Sequence, residues 1–143
     1  MRTVEQADRA VEAGAKFLVA PGLNASVVSH AGVPMLPGVC TPTEIEQAVV
    51  MGLSLLKFFP AEAAGGVAYL SALAGPYRDV LFVPTGGIGL TNLSAYLGLP
   101  TVVACGGSWM VKSSLIVAND FATITRLTVE ALAVAEAANG VPA

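Results

Sequence analysis

Charge is scarce in this chain. Among its 143 residues, seven are Lys or Arg and ten are Asp or Glu, for a net charge of −3. Soluble domains usually carry about a quarter charged residues. A charged fraction of only 12% therefore implies elements covered on more than one side and excludes a disordered chain. No basic run occurs, which argues against nucleic acid as a partner. Histidine is nearly absent. A single residue, His30, nearly excludes a histidine-based metal site and leaves a Ser-His-Asp triad only that one candidate. His30 lies in a short polar-edged helical stretch, Asn24 to Gly32, and reads as a surface residue. The two cysteines, Cys40 and Cys105, are far apart with no CxxC, which predicts two buried free thiols in a reducing cytoplasm. Long hydrophobic runs are missing too. The longest largely apolar stretch, Ala48 to Leu56, includes Gly52 and Ser54 and stops at Lys57 after nine residues, whereas a membrane helix needs roughly 18. Met1 to Glu5 leads straight into a helical pattern, so no signal peptide is read. The composition describes a cytoplasmic domain without membrane contact, whose chemistry uses lysine, carboxylates or backbone donors.

What the chain does have is a regular alternation. Short apolar runs begin at Phe17, Pro34, Leu55, Val80 and Thr101, and none shows apolar/polar alternation. Runs of that kind fit parallel strands covered on both faces. Helical segments lie between them. Thr3 to Gln6 reads as a capping box for a helix ending near Gly14, and Thr41-Pro42-Thr43-Glu44 opens another that ends near Gly52. Further helices are predicted over about 66–74, 91–97 and 120–138. Strict alternation implies right-handed crossovers and a parallel sheet within a single domain, residues 1–143. Each run ends in turn residues: Pro21-Gly22, Pro37-Gly38, Pro60-Ala61, Gly86-Gly87 and Gly106-Gly107. In sheets of this class the carboxyl ends of the strands carry the ligand. A closed eight-unit barrel usually needs about 250 residues. Five strands in 143 residues mean either an open sheet or part of a barrel.

Three groups of residues offer chemistry. Lys57, one of three lysines, sits between Leu56 and Phe58-Phe59 in an interior strand. A desolvated ammonium there has a lowered pKa and a nucleophilic neutral fraction suited to imine formation; a lysine snorkelling to water fits the same pattern. Glu62, five residues on, reads either as a proton shuttle at the same mouth or as a solvated loop carboxylate. The glycine pairs in Thr85-Gly86-Gly87-Ile88 and Gly106-Gly107-Ser108-Trp109 close consecutive strands. Glycine turns aim backbone N–H groups at an anion, and helix N-termini that follow add positive potential. Two such pairs point to a phosphate cradle with Ser108 as an added donor, or to two tight turns only. Trp109 either covers the pocket or packs in the core, and Met35, Met51 and Met110 are read as core filler.

Taken together, Lys57-Phe58-Phe59-Pro60-Ala61-Glu62, Pro84-Thr85-Gly86-Gly87-Ile88 and Gly106-Gly107-Ser108-Trp109 resemble the class I aldolase family of 2-keto-3-deoxy-6-phosphogluconate (KDPG) aldolase and 4-hydroxy-2-oxoglutarate (KHG) aldolase. Pro21-Gly22-Leu23, Leu36-Pro37-Gly38-Val39 and Ala74-Gly75-Pro76-Tyr77 extend the resemblance along nearly the whole chain. The resemblance implies a (β/α)₈ barrel of the TIM type, with five of its eight strands in this chain. It implies that Lys57 forms a Schiff base with the pyruvate carbonyl. Gly86, Gly87, Gly107 and Ser108 would bind phosphate, and Phe59 and Thr85 would line the pyruvate end. It also implies a homotrimer, no metal and no cofactor.

The family's first three strands supply an acid/base glutamate, a carboxylate-binding arginine and a glycine-threonine turn. The resemblance implies that this chain corresponds to the fourth to eighth strands and has little aldolase activity alone, with Glu62 as a weak substitute shuttle. The unpaired apolar edge of its first strand predicts that the chain alone is poorly soluble or self-associates. A non-catalytic phosphate-binding module that assembles with another chain is the alternative.

Overall fold

The computed structural model describes residues 1–139; residues 140–143, the end of the expected domain, lie outside the described residues. Helices begin where the caps predict. The Thr3 hydroxyl accepts from Gln6 N–H and opens α1 (Val4–Glu12). The Gln6 side chain does not close the expected box on Thr3; it accepts from Arg2 N–H, one residue earlier, at 2.9 Å. Asn24 caps α2 (Ala25–His30), and a complete box of Thr41 and Glu44, with Pro42 in the first turn, opens α3 (Pro42–Val50). The helices α4 (Gly66–Ala74), α5 (Leu93–Leu97) and α7 (Phe121–Asn139) follow the predicted segments. A five-residue helix, α6 (Ser113–Val117), was not expected from the sequence. Its exposed Ile116 and Val117 give no core-facing stripe from which to read it.

The strands are β1 (Leu18–Val19), β2 (Met35–Leu36), β3 (Gly38–Val39), β4 (Leu55–Phe58) and β5 (Leu81–Pro84). All pairs are parallel: β1 with β2, β3 with β4, and β4 with β5. The expected strand at Pro34 does not end at Pro37-Gly38. It continues to Val39, and Pro37, which has no N–H to donate, divides it into β2 and β3. The Pro37 carbonyl accepts from Lys57 N–H at 2.8 Å, so the chain passes there from pairing with β1 to pairing with β4. The run from Thr101 is not a full strand. It touches β5 through the parallel bridge Phe82 to Val102, and a second bridge, Thr85 to Gly106, joins the residues just past each. Neighbours in space follow chain order, as successive β/α units of a barrel do.

Burial explains the packing. Leu56, Phe58 and Phe82 are fully buried and meet Ile45, Leu70 and Tyr96 from the helices. Leu55, Lys57, Leu81 and Val83 alternate onto the other face, where Leu55 and Leu81 remain about 40% exposed. A second cluster joins α1, α2, β1 and β2 through Ala7, Leu18, Val27 and Met35. Gly38 is required where the chain leaves β1, because a Cβ there would lie 2.1 Å from the Pro21 carbonyl oxygen. His30 is at the surface as read, 2.8 Å from Asp8. Neither cysteine is disulfide-bonded, and both are partly rather than fully buried.

Candidate active site

Lys57 occupies the third position of β4, flanked by Gly38 on β3 and Val83 on β5. Its neighbours Leu56 and Phe58 face the core, so strand geometry turns Lys57 to the opposite face. The ammonium lies 4.5 Å from the centroid of the Phe59 ring. No carboxylate pairs with it among the described residues. Partial burial therefore dominates and lowers its pKa from the ordinary lysine value. The aromatic face favours the cation, but an exposed contact of this kind contributes only about 0.5–1 kcal/mol.

Phe59 links this amine to the glycine turns. A Cβ on Gly86 would lie 3.3 Å from the Phe59 ring, so the ring touches both sides of the site. Gly86 and Gly87 have φ of +103° and +79°, values that side chains other than hydrogen rarely adopt. The turn is stitched to the segment after β4: Ala61 N–H donates to the Thr85 carbonyl at 2.9 Å, and Glu62 N–H donates to the Gly86 carbonyl at 3.0 Å. Gly106 N–H donates to the Pro84 carbonyl, and a Cβ on Gly106 would sit 2.7 Å from Thr85 Oγ1. At Gly107 the Trp109 ring lies so close that a Cβ would fall 1.7 Å from it. Trp109 thus lies against the second glycine turn; it packs on the core and does not line the cleft, and its buried indole N–H has no partner among the described residues.

These turns enclose a cleft of about 360 Å³, lined by Phe59, Thr85, Gly86, Gly87, Ile88, Gly106, Gly107 and Ser108. Three larger hollows lie elsewhere, one against Arg2 and Arg9, one between Leu23 and Met51, and one between Ser71 and Leu99. None is lined by a lysine or by a glycine pair. The expected contribution of helix N-termini does not materialise at the cleft. The helices after the two turns, α5 and α6, have five residues each and begin several residues downstream. Too few peptide dipoles align there to matter. The available donors are the backbone N–H groups and the Ser108 hydroxyl.

Six expected residues, Phe59, Thr85, Gly86, Gly87, Gly107 and Ser108, line this cleft, and Lys57 adjoins it through Phe59. Glu62 does not line it. Its carboxylate is 2.5 Å from the hydroxyl of Tyr96, a fully buried residue that the sequence reading did not single out. Burial, and then the adjacent Glu62 carboxylate, raise the Tyr96 pKa, so its hydroxyl stays a donor. The only sequence signal for Tyr96 was a phenol on the apolar stripe of a short helix.

Parallel β/α units with the candidate groups gathered at the carboxyl ends of the strands define a barrel-type β/α protein of the kind built around ligands at that end. More narrowly, the chain belongs to the KDPG and KHG aldolase family, whose model matches residues 2–127. It is 55% identical over 133 residues to the 2-dehydro-3-deoxy-phosphogluconate aldolase of Treponema pallidum, an alignment covering 91% of this chain and 63% of that protein. The chain thus spans less than two thirds of that relative's length. Among solved structures it is similar to the KDPG aldolase of Legionella pneumophila, captured with pyruvate as a covalent carbinolamine intermediate. The TM-score is 0.86 at 38% identity, covering 93% of this chain and 65% of that one. It is also similar to the KDPG aldolase of Zymomonas mobilis ZM4 with 3-phosphoglycerate. Here the TM-score is 0.85 at 40% identity, covering 90% and 62% respectively. No helix among the described residues is long and apolar enough to cross a membrane.

Proposed function

We propose that this chain carries the imine-forming amine and the phosphate cradle of a class I aldolase. The substrate is 2-keto-3-deoxy-6-phosphogluconate, cleaved to pyruvate and glyceraldehyde 3-phosphate as in the Entner–Doudoroff route; 4-hydroxy-2-oxoglutarate is a second substrate. The observation that carries the reading is Lys57: a lysine of lowered pKa without a carboxylate partner among the described residues, beside a cleft of glycine turns. The relatives described above are named aldolases, which favours this reading over a non-catalytic phosphate-binding module.

The neutral Lys57 amine attacks the C2 carbonyl, and loss of water gives the iminium. The C4 hydroxyl gives up its proton to a base, the C3–C4 electron pair moves into the iminium, and the C4 oxygen becomes the aldehyde carbonyl. Protonation of the enamine at C3 and hydrolysis return pyruvate and the free amine. Phe59 and Thr85 line the pyruvate end. The N–H groups of Gly86, Gly87 and Gly107, with the Ser108 hydroxyl, take the phosphate. The chain acts as one domain, in the cytoplasm, as a homotrimer.

The test is intact mass after incubation with pyruvate and borohydride. The wild-type chain gains the mass of one reduced pyruvate adduct and Lys57→Ala gains none. A folded wild-type chain without an adduct would overturn the reading.

A further inference from the structure

Glu62 and Tyr96 stand 34 residues apart and meet at 2.5 Å on one flank of the first glycine turn. The contact is built rather than incidental. Gly66, at φ +66°, leaves room for it: a Cβ there would lie 3.3 Å from Glu62 Oε1 and 3.7 Å from the Tyr96 hydroxyl. The aliphatic part of Glu62 packs on the turn itself, since a Cβ on Gly87 would fall 2.6 Å from Glu62 Cβ and 2.7 Å from Cγ. The Glu62 backbone N–H holds the Gly86 carbonyl. From the other side, Asn92 accepts from Gly89 N–H at 2.8 Å and donates to the Gly87 carbonyl at 3.2 Å. Asn92 immediately precedes α5, and Tyr96 lies within α5. The connections therefore close a ring: Glu62 to Tyr96, along α5 to Asn92, to Gly87, and back to Glu62.

We infer that Glu62 is a positioning residue: together with Tyr96 it braces the Thr85–Gly87 turn in the shape that offers its backbone amides to a phosphate, and it does not carry protons for the reaction. A glycine turn has many conformations open to it, and an amide cradle binds an anion well only when its donors are held in place. A carboxylate committed to a buried phenol, outside the cleft lining, is suited to bracing rather than to proton transfer. The inference rests on the phosphate-cradle reading of the cleft.

The experiment uses the full chain, with inorganic phosphate and glyceraldehyde 3-phosphate as probes. Affinity is measured by calorimetry, and borohydride trapping of pyruvate is followed against pH in parallel. Tyr96→Phe keeps the buried ring and removes only the donor. It weakens phosphate binding about three- to ten-fold, the size expected when a charge-assisted hydrogen bond is only partly transmitted to the site. Glu62→Ala does the same, while Glu62→Gln, which retains an acceptor oxygen for Tyr96, recovers part of the affinity. In all three variants the rate and pH profile of pyruvate trapping at Lys57 match the wild type. The inference is overturned if Tyr96→Phe binds phosphate as the wild type does. It is also overturned if Glu62→Gln slows trapping or shifts its pH profile, because Glu62 then moves protons. A wild-type chain that binds no phosphate removes the cradle and this inference with it. A chain that binds phosphate but traps no pyruvate removes the aldolase reading alone.

Discussion

Replacing Gly87 by alanine probes whether the contact between the glycine turn and Glu62 constrains the fold. Two costs are visible. Gly87 has φ +79°, and an alanine in the left-handed region costs about 1–2 kcal/mol. The added Cβ would also stand 2.6 and 2.7 Å from Glu62 Cβ and Cγ, about 1 Å inside the usual carbon–carbon separation. Glu62 cannot yield by rotating its far end alone, because Cβ moves only with the backbone, and that backbone is bonded to the Gly86 carbonyl at 3.0 Å. Relief therefore requires overpacking strain or a lost hydrogen bond, each about 1–3 kcal/mol. Gly14 supplies the control. Its φ is +93°, and a Cβ there meets nothing within 4 Å, so Gly14→Ala carries the backbone cost and the same gain from a stiffer unfolded chain. Gly87→Ala is expected to destabilise by about 1–3 kcal/mol more than Gly14→Ala. Urea unfolding followed by circular dichroism measures both, with unchanged m-values as the check on two-state behaviour. Two variants within about 0.5 kcal/mol of each other would refute the reasoning, since the Glu62 contact would then cost nothing to disturb.

Gly107→Ala is expected to push the only tryptophan off the second turn, since the new Cβ would lie 1.7 Å from the Trp109 ring; its emission shifts to the red and phosphate affinity falls, and an unchanged spectrum would contradict the placement of Trp109. Lys57→Met abolishes pyruvate trapping yet stabilises the fold at neutral pH. The sign follows from the lowered pKa: burying the ammonium costs stability below the folded-state pKa, and that cost fades as pH rises toward the ordinary value of 10.5. Melts of wild type and Lys57→Met should differ by a few tenths of a kcal/mol at pH 7 and converge near pH 10.5. Divergence with rising pH would refute it.

The local features of this protein are legible in its amino-acid order. Two helix starts were legible because caps act within four residues: Thr3 accepts from Gln6 N–H, and Thr41 and Glu44 satisfy each other's backbone. The parallel sheet was legible because apolar runs without polar alternation fit parallel strands covered on both faces, although Leu55 and Leu81 remain about 40% exposed on the second face. Lys57 stood out because a charge in such a run has few explanations, and the glycine pairs because few other residues adopt the backbone at Gly86 and Gly87.

Tertiary structure alone decided the relations between distant segments. Pro37 divides one strand in two rather than ending it, because its carbonyl finds Lys57 N–H on a neighbour that no local pattern names. Helix dipoles drop out of the cleft because α5 and α6 have only five residues each and begin several residues after the turns. The employment of Glu62 depends on Tyr96, 34 residues away. A side chain's neighbours along the chain limit its conformation, but the partner of its polar end is fixed only when folding brings remote segments within hydrogen-bond reach.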